Sequence, residues 1–265
     1  SGGELYTALT AGFPARRIHF HGNNKSVDEL NFALDSGVGC FVVDNFTELN
    51  VLHDLCKARQ MSVNILLRIT PGVEAHTHEY ITTGQEDSKF GFDLNSGQAF
   101  EALRQALDMS HYNVLGLHVH IGSQIFETKA FQLAVERLAR FVGQIHQEMN
   151  WKPEVLNLGG GFGIRYTEED APLPPKDYVY ALADSVIKEW AALGLSLPQI
   201  WIEPGRSIVG EAGTTIYTLG AQKEIPGIRH YISVDGGMSD NIRVALYQAK
   251  YEAYLANRIN EAPST

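Results

Sequence analysis

Short apolar runs alternate with amphipathic stretches along the first two hundred or so residues of this chain. Six runs read as strands: Arg17–Phe20, Phe41–Val43, Asn64–Ile69, Val114–Val119, Val155–Leu158 and Gln199–Ile202. They are brief and rich in aliphatic and β-branched residues, as expected of strands covered on both faces of a parallel sheet. Helical stripes lie between them. Ser26 and Glu29 form an S-x-x-E capping box, Leu30, Ala33 and Leu34 continue at helical spacing, and Gly37 stops the helix. Leu49, Leu52, Leu55 and Cys56 predict a second helix. Ala99, Phe100, Leu103, Ala106 and Leu107 predict a third. Ala130, Phe131, Ala134, Leu138, Phe141, Val142 and Ile145 predict a longer fourth, and Tyr178 to Leu193 a fifth.

Repeated βα units predict an α/β fold, with parallel strands and helices outside. The unusual polar residues choose between the two common versions. They follow many different strands: His21-Gly-Asn-Asn-Lys25, Asp44, Arg68, His120, Gly159–Gly163 and Glu203–Arg206. A barrel gathers all its strand ends around one mouth, whereas an open sheet concentrates chemistry at a switch point. The expectation is a TIM (β/α)8-type barrel that is incomplete, since six strands are visible and eight close such a barrel. This unit is expected over residues 1–210. Thr214–Ala221 and His230–Val234 read as strands without a helix between them, so residues 211–265 are expected to begin a β-rich domain. Thr70 to Asp93, with Pro71, Gly72, Gly84 and Gly91, reads as a long connection of the functional or disordered kind.

Composition narrows the partners. The 265 residues are 44% hydrophobic and 20% charged, with a net charge of −10 and a pI near 5.4. No Lys/Arg cluster forms a nucleic-acid footprint. No apolar run reaches membrane-spanning length and no signal peptide is visible, so a cytoplasmic protein is expected. Cys40 and Cys56 do not make a disulfide framework and read as small buried residues. The polar Glu261-Ala-Pro-Ser-Thr265 end and the Ser1 start both read as cut.

The chemistry centres on Glu203-Pro204-Gly205-Arg206, at one strand end, and the glycine turn Gly159–Gly163 at another. Glycines let backbone N–H groups crowd round phosphate oxygens. Ser123, after His120, ends a third strand and is placed to donate a hydroxyl to the same phosphate, with Arg206 as its charge partner. A carboxylate such as Glu203 beside a pyridine nitrogen keeps that nitrogen protonated, which makes the ring an electron sink. The plain alternative is a structural Glu203–Arg206 salt bridge. His118 and His120 share one face of a strand by the two-residue period; His120, nearer the end, is placed to stack on a flat cofactor, and His118 reads as a core residue. The pairs His19/His21 and His76/His78 have the same spacing, which also suits a metal-dependent hydrolase. Arg68 interrupts an apolar run, so burial demands an anionic partner for it. Arg243 and Tyr247, four apart, share a face if that segment is helical and are placed to meet a substrate carboxylate.

Seven ordered segments resemble the fold-type IV pyridoxal phosphate decarboxylases, most closely the diaminopimelate decarboxylases: SGGEL (1–5), HGNNKS (21–26), SKFGF (88–92), HVHIGSQ (118–124), LGGGFG (158–163), EPGRSIVG (203–210) and DGGMSDNIRVALY (235–247). The resemblance implies a barrel plus a β-domain, a homodimer with shared active sites, pyridoxal 5'-phosphate as cofactor, and conversion of meso-2,6-diaminopimelate to L-lysine and carbon dioxide. It implies that His120 stacks on the ring and that Glu203 partners its nitrogen. Ser123, Gly160, Gly161, Gly163, Pro204, Gly205 and Arg206 would hold the phosphate and ring, and Arg68 would lie near the phenolic oxygen. Arg206, Arg243 and Tyr247 would contact substrate. Glu203 and His120 are the catalytic candidates, and no metal is expected. Decarboxylases of the same fold type for arginine, ornithine or carboxynorspermidine are the nearest alternatives.

The resemblance also marks departures. The family lysine that carries the cofactor precedes the SGGEL segment and is not in these residues; Lys25 and Lys89 belong to other motifs. The cysteine- and acid-bearing segment near the family's C-terminus is not here either, and Val244 stands where the family has proline. The 265 residues by themselves are therefore expected to be inactive and, with open sheet edges, poorly soluble.

Overall fold

The computed structural model describes residues 1–73 and 88–261. Six parallel strands lie side by side in chain order: β1 (His19–Phe20), β2 (Cys40–Val43), β3 (Val63–Thr70), β5 (Tyr112–His118), β6 (Val155–Asn157) and β7 (Gln199–Trp201). A short β4 (Phe92–Asp93) pairs parallel with the last two residues of β3. Helices separate the strands: α1 (Gly2–Thr10) leads the chain, α2 (Val27–Asp35) follows β1, and α3 (Phe46–Ala58) follows β2. Then α4 (Gln98–Asp108) follows β4, α5 (Lys129–Met149) follows β5 and α6 (Pro175–Leu193) follows β6. The fold is α/β, a sheet of TIM-barrel type with six parallel strands among the described residues.

The sheet is strongly curved. Six strands in a flat sheet would set the outer two about 24 Å apart. Here the ring of His19 on β1 stacks on that of Trp201 on β7, with centroids 4.4 Å apart. The two edges therefore face each other across a concave interior. The strand period divides the core accordingly. Phe41, Val43, Ile65, Leu67, Leu117 and Leu156 point outward under the helices and belong to the main cluster. Cys40, Val42, Leu66 and Val155 form a smaller inner cluster, flanked by Leu115 and Trp201. Two residues beyond that inner layer stand Asp44, Arg68, Asn157 and Glu203, so the two-residue period carries polar groups to the strands' carboxyl ends.

Local signals hold where the chemistry is strong. Ser26 and Glu29 form the expected reciprocal capping box, and Glu29 Oε1 also accepts from Gly2 N–H at 2.6 Å. Asn45 caps α3 by accepting from Glu48 N–H. Proline starts α6, and Gly194, at φ +69°, ends it. Two expectations are corrected, and two elements are added. Ala15–Arg17 is a 3-10 turn that begins directly after Pro14, whose fixed φ suits a turn start, so the first strand starts at His19. The helix α1 and the strand β4 went unanticipated; each is short and stabilised by neighbours. Beyond Arg206, residues 214–218 are not strand: the hairpin is β8 (Leu219–Ile225) paired antiparallel with β9 (Arg229–Val234), both largely exposed. Short helices α7 (Arg206–Val209) and α8 (Arg243–Tyr247) flank it. The middle of the 70–93 connection, with His76, His78 and Gly84, lies outside the described residues.

Both cysteines are free and buried, and burial pushes the thiols up to about 12 for Cys40 and about 11 for Cys56. No helix among the described residues is long and apolar enough to cross a membrane. Leu156 is fully buried and Leu197 is 56% exposed. Leu156→Ala is expected to lower unfolding free energy by about 2–5 kcal/mol, whereas Leu197→Ala stays within about 0.5 kcal/mol. Urea unfolding followed by circular dichroism checks the contrast.

Candidate active site

The carboxyl ends of the strands converge on Glu203. It follows β7, and its backbone N–H donates to Gly159 O at 2.7 Å. Its side chain takes donors from three other strands. His21 Nε2, just past β1, lies 2.7 Å from Oε1. Asn157 Nδ2, on β6, donates to the same oxygen at 2.8 Å. His118 Nε2, at the end of β5, is 3.2 Å from Oε2. Burial pushes the Glu203 carboxyl up, but hydrogen bonds from His118 and His21 outweigh it and hold the group well below the usual carboxylate range. Burial drives His118 down to about 3, against the pull of Glu203. His118 is thus neutral near pH 7 and offers its Nε2–H to an ionised acid.

Glu203 pairs with imidazoles and an amide, not with Arg206, so the structural salt bridge is not formed. His118 is buried as expected but is no bystander: it is one of the donors that hold Glu203. His21 and Asn157 were missed as members of this group. Their signal was present, since each lies at the end of a strand and the two-residue period points it inward, but nothing local names its partner.

The glycine turn has a definite packing reason. A Cβ on Gly159 would lie 2.4 Å from Val119 O, one on Gly160 2.1 Å from Glu203 O, and one on Gly161 2.1 Å from Gly122 O. Three chain segments therefore touch here through backbone alone, and Gly161 adds φ +95°. The turn thus lies against Ser123 and Glu203 at once. Phe162 anchors it from below, stacked on Tyr178 at 4.8 Å and edge-on to Phe131 at 5.6 Å. Gly159 N–H goes to Asn157 Oδ1 and Gly163 N–H to Ile125 O. Gly160 N–H reaches His120 Nδ1 at 3.4 Å. His120 is driven down to about 4, first by burial and then by the charge of Arg68. The chain continues through Pro204 and Gly205 into α7.

Arg68 finds its anion in Asp44, at 3.4 Å, and lies over the Phe90 ring at 4.4 Å. Asp44 Oδ2 accepts from Gly91 N–H at 3.2 Å, which ties the SKFGF segment to β2. Lys25 is a buried clamp: Nζ donates to Gly22 O, Val42 O and Glu48 Oε1. Arg206 Nη1 donates to Gln124 Oε1 at 3.0 Å. Arg243 and Tyr247 do share a helical face, with the guanidinium 5.6 Å from the ring centroid.

This arrangement fits a phosphorylated pyridinium. An acid kept ionised, with its side chain 31% exposed, accepts a ring N–H. A turn too tight for side chains lies beside it, and among the described residues no acceptor takes the N–H groups of Gly161 and Phe162. The nitrogen atoms of His21 and His118 and a Glu203 oxygen also lie within 4.8 Å of one another, a spacing that a divalent ion tolerates.

The comparisons with known proteins favour the first ligand. The family model described as "Pyridoxal-dependent decarboxylase, pyridoxal binding domain" matches residues 1–210. The diaminopimelate decarboxylase of Bacillus subtilis (strain 168) is 61% identical over 99% of this chain and 60% of its own length. A crystal structure of diaminopimelate decarboxylase from M. jannaschii in co-complex with L-lysine matches with TM-score 0.85 and 34% identity, over 95% of this chain and 57% of that one. The Helicobacter pylori diaminopimelate decarboxylase complexed with L-lysine matches with TM-score 0.84 and 30% identity, over 95% and 60%. The chain thus spans about 60% of the length of the curated relatives it matches.

The histidine shifts generate an acid signature. His118 and His120 take up protons less readily folded than unfolded, so their contribution to stability is complete above about pH 6.5. It is lost as pH falls through the folded values, about 4 for His120 and about 3 for His118. The expected slope is at most about 1.4 kcal/mol per pH unit for each imidazole. His118→Gln, which keeps a donor for Glu203 but does not titrate, is expected to flatten the Tm profile between pH 6.5 and 3.

Proposed function

This chain belongs to the family of pyridoxal-dependent decarboxylases, and we propose that the protein converts meso-2,6-diaminopimelate to L-lysine and carbon dioxide. The carrying observation is Glu203, an acid kept ionised by donors from three strands beside a turn without side chains. The identity to diaminopimelate decarboxylases supports the substrate class, and the lysine in two related structures is the product such a reaction would leave. The relatives also favour an amino-acid decarboxylase over the metal-dependent hydrolase that paired histidines suggested.

Pyridoxal phosphate, when bound, supplies a ring that takes up the electron pair left at the substrate's Cα. Glu203 would hold a proton at the ring nitrogen. His120, neutral because it is buried, would stack on the ring. Ser123, Gly160, Gly161 and Gly163, with the turn Pro204-Gly205-Arg206, would hold the phosphate through hydroxyl, amides and charge. Arg68, fixed by Asp44, would lie near the phenolic oxygen. Arg206, Arg243 and Tyr247 bind the substrate's carboxylate. We further propose that residues 1–210 are the cofactor unit and 211–265 part of a β-rich second unit, and that the enzyme is cytoplasmic and works as a homodimer with shared sites.

The test uses a protein with the length of its relatives, loaded with cofactor. Carbon dioxide release is measured with diaminopimelate, arginine, ornithine and carboxynorspermidine. Turnover confined to diaminopimelate is expected, and a preference for any of the others refutes the substrate. Glu203→Gln is expected to lower kcat about 100-fold or more while cofactor remains bound, and near-normal turnover would remove Glu203 from its role.

A further inference from the structure

Two guanidinium groups meet at one ring that no part of the site has yet used. Arg206 Cζ lies 5.7 Å and Arg243 Cζ 5.8 Å from the centroid of Tyr166, both within cation–π range. Like charges gathered this way call for an anion. Arg206 bonds a neutral partner, Gln124, and neither arginine forms a carboxylate ion pair among the described residues. Arg243 Nε is buried without a hydrogen-bond partner. Burial pulls the Arg206 pKa down, Tyr166 and Tyr251 oppose that, and Arg243 adds to it.

The ring itself is held rigidly. Tyr251 meets it edge-on at 5.3 Å. Asp170 Oδ2 accepts from the N–H groups of Tyr166 and Thr167, each at 2.9 Å. The loop is then clipped to the chain around Tyr251. Glu168 N–H donates to Glu252 Oε1 at 2.7 Å, and Lys250 pairs with Glu169 at 2.9 Å. A fixed aromatic face with two cations against it sets the spacing of those cations.

We propose that Tyr166 is a positioning residue that holds Arg206 and Arg243 as a pair for the substrate's distal carboxylate, and thereby favours a dicarboxylic diamino acid over a monocarboxylic one. This rests on the decarboxylase reading above. The ring face does the positioning, so a phenyl group suffices and an aliphatic side chain does not.

The experiment uses the full-length enzyme with its cofactor. Tyr166→Leu is expected to raise KM for diaminopimelate roughly tenfold while kcat changes less than about threefold, and Tyr166→Phe to keep both near wild type. Calorimetry with pimelate, an unreactive dicarboxylate, and with L-lysine, the product that keeps the distal carboxylate, is expected to show the same loss of affinity in Tyr166→Leu, with the affinity for cadaverine, a diamine with no carboxylate, unchanged. If Tyr166→Leu does not fold, Tyr166→Met carries the same expectation. Unchanged KM and pimelate affinity, or an equal loss for cadaverine, overturns the role of Tyr166. A wild-type enzyme inert toward diaminopimelate overturns the decarboxylase reading instead, so the two failures are distinct.

Discussion

The carboxylate of Glu203 is the point on which the site depends. It leaves the end of β7 and accepts hydrogen bonds from His21 beyond β1, His118 on β5 and Asn157 on β6. The first and last strands of the sheet, whose His19 and Trp201 rings stack, meet through this group as well. A buried anion without donors would be costly. Here the donors are imidazole and amide groups, and among the described residues no arginine or lysine pairs with the carboxylate, so it stays available to a cationic ligand.

The surrounding polar layer follows the same logic with different partners. Lys25 and Glu48 are both almost wholly buried, and three acceptors satisfy the ammonium. Arg68 and Asp44 form the neighbouring pair. Each pair loses hydration on burial and recovers it only through complete hydrogen bonding, which explains why Lys25 reaches into the fold and is not at the mouth. The glycine turn permits the whole arrangement, because side chains at Gly159, Gly160 or Gly161 would hold apart the segments that bear His120, Glu203 and Ser123.

Arg206 and Arg243 complete the picture at the rim. They are placed by Tyr166 and Gln124 and, among the described residues, by no acid. The interior thus has a shielded anion and the rim uncancelled cations. That polarity suits a ligand whose ring is cationic and whose periphery is anionic.

Much of this was legible in the chain. Alternating apolar runs and helical stripes gave the α/β architecture, and the S-x-x-E box at Ser26 gave a helix start, because both signals are local and physical. Glu203, the glycines and Arg68 stood out since each is unlike its apolar neighbours. The partners were not legible. That Glu203 bonds His21 and Asn157, that Arg68 meets Asp44, and that Tyr166 gathers two arginines depends on how tightly the sheet curls and which strand ends it brings face to face. Curvature is a collective result of packing two layers of side chains on opposite faces, and no single stretch of sequence carries it.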